Sequence, residues 1–148
     1  RPQMGNTQSK DHKYRISTRY ESYADLTRAL RESGLESSQL MIGVDASKSN
    51  LWTGERTYPM LKGGLHDFTN GESPYERVIR LVGPALESFD DDKQIPTFRF
   101  GCSQTRDQST LPLALSGVAN CFGYQGVLDC YRASIPHLTF SGPTTMAP

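Results

Sequence analysis

The order of elements along this chain predicts an α/β domain in which at least part of the sheet is parallel. Three observations carry that prediction. An amphipathic stretch at helical spacing precedes the apolar run Leu40-Met41-Ile42-Gly43-Val44, a well-capped second helix follows, and a second short strand is then succeeded by a third helix. At 148 residues the chain has the length of one domain with one core.

Residues 1–19 are polar, lack periodicity and read as a flexible arm, with the domain proper occupying 20–148. Arg1, Pro2 and Gln3 precede the first methionine, and from Met4 the sequence Met-Gly-Asn-Thr-Gln-Ser matches the myristoylation pattern, with Gly5 as acceptor and Ser9 at the required hydroxyl position. The alternative is a polar tail that merely contains Gly and Ser. With three residues ahead of Met4, the chain as it stands would not be acylated. One acyl chain anchors only marginally, so Lys10, Lys13, Arg15 and Arg19 would supply a weak second signal for peripheral contact with a membrane, the plasma membrane being the expected one.

Within residues 22–33, Tyr23, Leu26, Ala29 and Leu30 recur at helical spacing, with Ser22 as N-cap and Gly34 just past the end. A strand over 39–44 follows, and directly after it stands Asp45-Ala46-Ser47-Lys48-Ser49. A carboxylate and two hydroxyls at the carboxyl end of a buried strand suit a hard cation such as Mg²⁺, which takes oxygen ligands. Alternate residues of an extended segment share a face, so Asp45, Ser47 and Ser49 converge while Ala46 and Lys48 point away. Hydroxyl ligands are neutral, and the metal would keep enough charge to accept a carboxylate from another molecule. Asp and Ser also gather in ordinary turns, where they bond the local backbone, and that reading stands beside the first.

Residues 51–71 carry five glycines and prolines in short apolar pieces and read as a loop or small hairpin. Ser73-Pro74-Tyr75-Glu76 is a helix start with a capping serine, proline at the first position and Glu76 at the box position. Val78, Ile79, Val82, Leu86 and Phe89 form the expected core stripe, with Gly83-Pro84 as a point of bending. Asp90-Asp91-Asp92 reads as a solvated turn rather than a metal cluster, because three adjacent carboxylates cannot face one ion. A strand over 95–100 leads to a loop-rich crossover over 102–120. A helix over 124–135 then turns Val127, Leu128, Tyr131 and Ile135 to the core and stops at Pro136.

Sixteen basic and sixteen acidic side chains cancel, so no overall field favours nucleic acid as a partner. Cys102, Cys121 and Cys130 are odd in number and make no CxxC pair, which points to reduced thiols in a cytoplasmic protein. The longest apolar run is far too short to span a bilayer as a helix. No catalytic residue is suggested. His66 beside Asp67 reads as a surface loop residue rather than half of a dyad, Cys102 as a small buried cysteine rather than a reactive thiol, and Trp52 either as rim of the motif or as core cover.

Ala29-Leu30-Arg31-Glu32-Ser33-Gly34-Leu35, the strand and motif, Asn50-Leu51-Trp52-Thr53-Gly54, Ser73-Pro74-Tyr75-Glu76, Phe98-Arg99-Phe100-Gly101, Arg106-Asp107-Gln108 and Gly142-Pro143-Thr144-Thr145 occur in the order of a known family. Together they resemble the copine-type von Willebrand A domain, most of all that of the plant RING-containing ubiquitin ligases with a myristoylated N-terminus. The resemblance implies a Rossmann-like fold and a metal-ion-dependent adhesion site. Mg²⁺, or Mn²⁺ or Ca²⁺, would be held there by Asp45, Ser47, Ser49 and Thr144 and would complete its shell with an acidic residue of a protein partner.

The aspartate that the family places after a later strand has no counterpart before Pro148, so the chain is expected to hold the first two-thirds of the domain, truncated at the C-terminus. A domain so shortened is expected to leave sheet edges unpaired. The implied function is substrate or partner recruitment in an E3 ubiquitin ligase. The alternative is a copine-like, calcium-dependent phospholipid-binding protein, which the short arm disfavours because it leaves no room for preceding C2 domains.

Overall fold

The computed structural model describes residues 19–54 and 57–142. Thr144 and Gly5 lie outside the described residues. Helix α1 spans Tyr23–Glu32, and the Ser22 hydroxyl accepts from the Asp25 N–H as the predicted N-cap. Gly34 has φ +97 and closes the helix with two backbone bonds, Leu35 N–H to Leu30 O at 3.0 Å and Gly34 N–H to Arg31 O at 2.9 Å. Only a residue at ease with positive φ allows this double closure.

Strand β1 is Ile42–Asp45, starting three residues later than predicted and including Asp45 itself. The chain ahead of it is held instead by the acidic turn. Ser38 N–H donates to Phe89 O at 2.9 Å, and Leu40 N–H to Asp90 Oδ2 at 3.2 Å. Asp90 is accordingly buried rather than solvated, while Asp91 accepts from the Ser37 hydroxyl at 2.5 Å.

The stretch read as a loop or hairpin contains no strand among its described residues. It holds a one-turn helix α2, Asn50–Thr53, and a 3-10 turn, Gly64–His66. These two pack so closely that a Cβ on Gly64, at φ +68, would lie 2.1 Å from the Asn50 carbonyl oxygen.

Helix α3, Pro74–Glu87, opens on the predicted capping box and runs through Pro84. Its inward residues are Glu76, Ile79, Gly83 and Ala85, whereas Val78 and Val82 of the expected stripe face solvent. The reason lies at Gly83, where a Cβ would come within 2.6 Å of Tyr124 Cβ, so the next helix approaches α3 on the side bearing Gly83.

Strand β2 is Gln94–Phe100 and pairs with β1 in parallel, Ile42 opposite Thr97 and Asp45 opposite Phe100. The segment expected as a crossover folds back instead. Strands β3, Leu111–Pro112, and β4, Asn120–Phe122, both pair antiparallel with β2. Phe100 O accepts from Ala46 on the β1 side, whereas Thr97 donates to Ala119 and accepts from Leu113, so β3 and β4 share the opposite edge.

Helix α4, Gly123–Ser134, buries Val127, Leu128, Tyr131 and, one step past its end, Ile135, as predicted. These side chains meet Val44, Ile79, Ile95 and Leu113 in one core. Past the carboxyl ends of β1 and β2, Ser141 bridges in parallel to Ser47, and Phe140 bridges antiparallel to Cys102. No helix among the described residues is long and apolar enough to cross a membrane.

Candidate metal centre

The motif sits where β1 ends, beyond the carboxyl edge of the parallel pair, which is the usual ligand position in open α/β sheets. Asp45 is half-buried, Ser47 fully buried and Ser49 half-buried, while Lys48 is exposed and Ala46 is packed in the core.

The three oxygen-bearing side chains do converge, though not by extended alternation. After Ala46 the chain turns at Lys48 and Ser49 into α2, and Ser49 already has helical φ and ψ. Asp45 Oδ1 accepts the Ser47 N–H at 2.8 Å, and the Ser47 and Ser49 hydroxyls lie 2.8 Å apart. Ordinary Asx-turn bonding and the meeting of the two hydroxyls thus occur in the same loop.

Gly101, at the end of β2, forms the floor. Its φ is +76, and a Cβ there would lie 2.8 Å from Ser47 N and 3.0 Å from Asp45 Oδ1. The third wall is the chain after α4. Lys48 N–H donates to Ser141 O and Gly142 O, both at 3.2 Å, and Ser141 N–H donates to Gly101 O at 3.1 Å. The described chain therefore reaches Gly142 alongside the motif, two residues before Thr144.

Three side chains that the sequence did not single out for this role hold the loop from beneath. The Asp45 carbonyl oxygen accepts from His66 Nε2 at 2.8 Å, Asn50 Nδ2 at 3.0 Å and Tyr75 OH at 3.4 Å. Asn50 also donates to the Ser47 hydroxyl at 3.3 Å, and Tyr75 is 3.2 Å from Asn50 Oδ1.

His66 is therefore not a surface residue. It is 4% exposed and stacked between Tyr75, at 4.1 Å between centroids, and Phe140, at 5.0 Å. Burial pushes its imidazole down to about 4, against the pull of the Asp45 carbonyl and charge, so the ring is neutral near pH 7. Burial likewise pushes the Tyr75 hydroxyl up to about 12, with the Asp45 charge adding to the shift.

The tautomer follows by elimination, since a carbonyl oxygen only accepts and Nε2 must carry the hydrogen. Nδ1 then accepts from Tyr131 OH at 2.7 Å. Having spent its hydrogen, Tyr131 accepts from the Ser73 hydroxyl at 3.2 Å, and Ser73 accepts the Glu76 N–H as the α3 cap.

The only sequence cue to this arrangement was the pair Gly63-Gly64, which marks a close backbone approach. Nothing in local spacing says that a histidine 21 residues away folds beneath Asp45.

Among the described residues no three His, Cys, Asp or Glu side chains cluster as metal ligands. The donor set at the motif is of another kind, one carboxylate with two hydroxyls, whose hard oxygens match Mg²⁺ or Mn²⁺ rather than a soft ion. Cys102 is buried, with its sulfur 3.2 Å from Thr105 Oγ1. Trp52 is 53% exposed, which makes it surface rather than core cover.

A parallel β1–β2 pair ending in an Asp-x-Ser-x-Ser loop, with helices packed on the sheet, defines an α/β domain of the von Willebrand A type. The chain belongs to the copine family, whose profile, described as Copine, matches residues 64–148.

Its relatives include two Arabidopsis thaliana proteins. E3 ubiquitin-protein ligase RGLG5 is 40% identical over 139 residues, covering 93% of this chain and 31% of the relative. E3 ubiquitin-protein ligase RGLG4 is 41% identical over 144 residues, covering 97% of this chain and 35% of the relative. Copine family protein 2 of Caenorhabditis elegans is 37% identical over 132 residues, 87% of this chain and 2% of the relative. The chain thus spans about a third of the length of the plant relatives.

Proposed function

We propose that this chain is a metal-dependent protein-interaction module in which Asp45, Ser47 and Ser49, joined by Thr144, hold Mg²⁺ or a similar hard cation. The ion would supply a Lewis-acidic point of attachment for a carboxylate of a protein partner. The observation that supports this most is the pair of Ser47 and Ser49 hydroxyls, 2.8 Å apart, beside an Asp45 carboxylate that accepts the Ser47 N–H at the end of the parallel pair. This chain's own part is to hold those oxygens together against their mutual repulsion, which the Ser47 amide and the Asn50 side chain do by donating into the cluster.

In the whole protein the module would recruit a substrate or partner for an E3 ubiquitin ligase, a reading supported by the plant relatives' names, and we propose that the ligase is of the RING type. A copine-like, calcium-dependent phospholipid-binding protein is the second reading, supported by the family profile and the Caenorhabditis relative. Coding sequence on both sides of residues 1–148 separates them: a zinc-binding RING pattern selects the ligase, and C2 domains select the copine.

The interaction reading is tested with acetate as a carboxylate probe, titrated into the Mg²⁺-saturated chain and followed by NMR at the Ser47 and Ser49 amides. Shifts that vanish on chelation and in Asp45→Ala are expected. Acetate that moves neither amide in the loaded chain, or moves both equally without Mg²⁺, overturns it.

A further inference from the structure

We propose that His66 is the positioning residue of the cation loop: its Nε2–H holds the Asp45 peptide so that the Asp45 carboxylate and the Ser47 and Ser49 hydroxyls stay gathered. The proposal deepens the cation reading above and rests on it for its consequence in binding, though not for its geometry.

Three observations carry it. The bond from His66 goes to the main chain of the very residue whose carboxylate caps Ser47, and at 2.8 Å it is the shortest of the three that reach that carbonyl. Turning the Asp45 peptide about its Cα–C bond would carry the Ser47 N–H away from Oδ1, so holding the carbonyl holds the loop.

The ring itself has little freedom. Tyr75 and Phe140 stack on it, and both nitrogens are bonded. Its tautomer, moreover, is set from outside the loop by a chain of hydroxyls that begins at the α3 cap: Ser73 donates to Tyr131, and Tyr131 donates to Nδ1. The 3-10 turn, the start of α3 and the middle of α4 therefore all bear on one carbonyl of β1.

A side chain needed only for packing there would be cheaper as an aromatic hydrocarbon, because each buried polar atom must be matched by a partner. His66 instead places a donor on the carbonyl of the last residue of β1, which is also where the motif begins. In metal sites, partners that orient a ligand residue from behind change affinity by about 10- to 100-fold when removed.

The test uses the 148-residue chain, with His66→Phe, which keeps a ring between Tyr75 and Phe140 but loses both bonds, and His66→Gln, which returns an amide donor. The first readout is hydrogen exchange of the metal-free protein at the Ser47 N–H, bonded to Asp45 Oδ1, compared with the Thr97 N–H, bonded to Ala119 O in the sheet. The second is the dissociation constant for Mn²⁺, read from the electron paramagnetic resonance of the free ion.

In His66→Phe, Ser47 exchange is expected to quicken at least about tenfold with Thr97 unchanged, and Mn²⁺ affinity to fall by about 10- to 100-fold, with His66→Gln recovering part of both. Unchanged Ser47 exchange, or equal acceleration at Ser47 and Thr97, overturns the proposal by reducing His66 to a packing role. If the unsubstituted chain takes up no Mn²⁺, the cation reading fails, and the Ser47 exchange then decides the positioning role alone.

Discussion

At the scale of single residues, Gly101 shows most sharply how the backbone makes room for the site. Its positive φ disfavours any side chain, and the space a Cβ would fill is already taken by Ser47 N and Asp45 Oδ1. Gly101→Ala is expected to lower stability by about 1–3 kcal/mol in urea unfolding and to weaken Mg²⁺ uptake at least about tenfold, because the motif itself must move. Gly34→Ala is the control. It meets the same sign of φ, +97, but nothing within 4 Å, so it should cost about 1 kcal/mol and leave uptake unchanged. The bonding among Asp45, Ser47 and Ser49 lies within reach of sequence reasoning because it is local, closed within five residues. His66 was not legible, since its partners Asp45 and Tyr131 lie 21 and 65 residues away and a lone histidine carries no spacing signal.

At the scale of elements, capping chemistry could be read directly and packing faces could not. Ser22 and Ser73 cap where expected, since a cap is a contact over three residues. The inward face of α3 was misjudged because apolarity pointed to Val78 and Val82, whereas the approach of α4 selects the side bearing Gly83. Strands β3 and β4, of two and three residues, are too short to show an alternation, and so their antiparallel pairing was missed.

Gly83→Ala weighs these effects against each other. Helix propensity alone would favour alanine by about 1 kcal/mol. The Cβ, however, would stand 2.6 Å from Tyr124 Cβ, where overpacking costs about 1–3 kcal/mol. A net loss of stability is expected in urea unfolding, with Mg²⁺ uptake unaffected because the contact lies between α3 and α4, away from the motif. A gain in stability would mean that the two helices have slack between them.

At the scale of the whole molecule, the α/β class and the family were visible because short motifs recur in the right order over most of the chain, even where individual elements were misplaced. The site, by contrast, is assembled from the end of β1, the 3-10 turn, the cap of α3, the middle of α4 and the segment up to Gly142. Such an assembly depends on tertiary closure and leaves no trace in composition.

The central claim is that this closure presents a cation site at Asp45. It is tested most directly by titrating the chain with Mg²⁺ and following the backbone amides by NMR. Saturable shifts confined to Ser47, Lys48, Ser49, Asn50, Gly101 and Ser141, absent in Asp45→Ala, are expected. Unchanged amides at Ser47 and Gly101 in a chain whose sheet resonances show it folded would contradict the account.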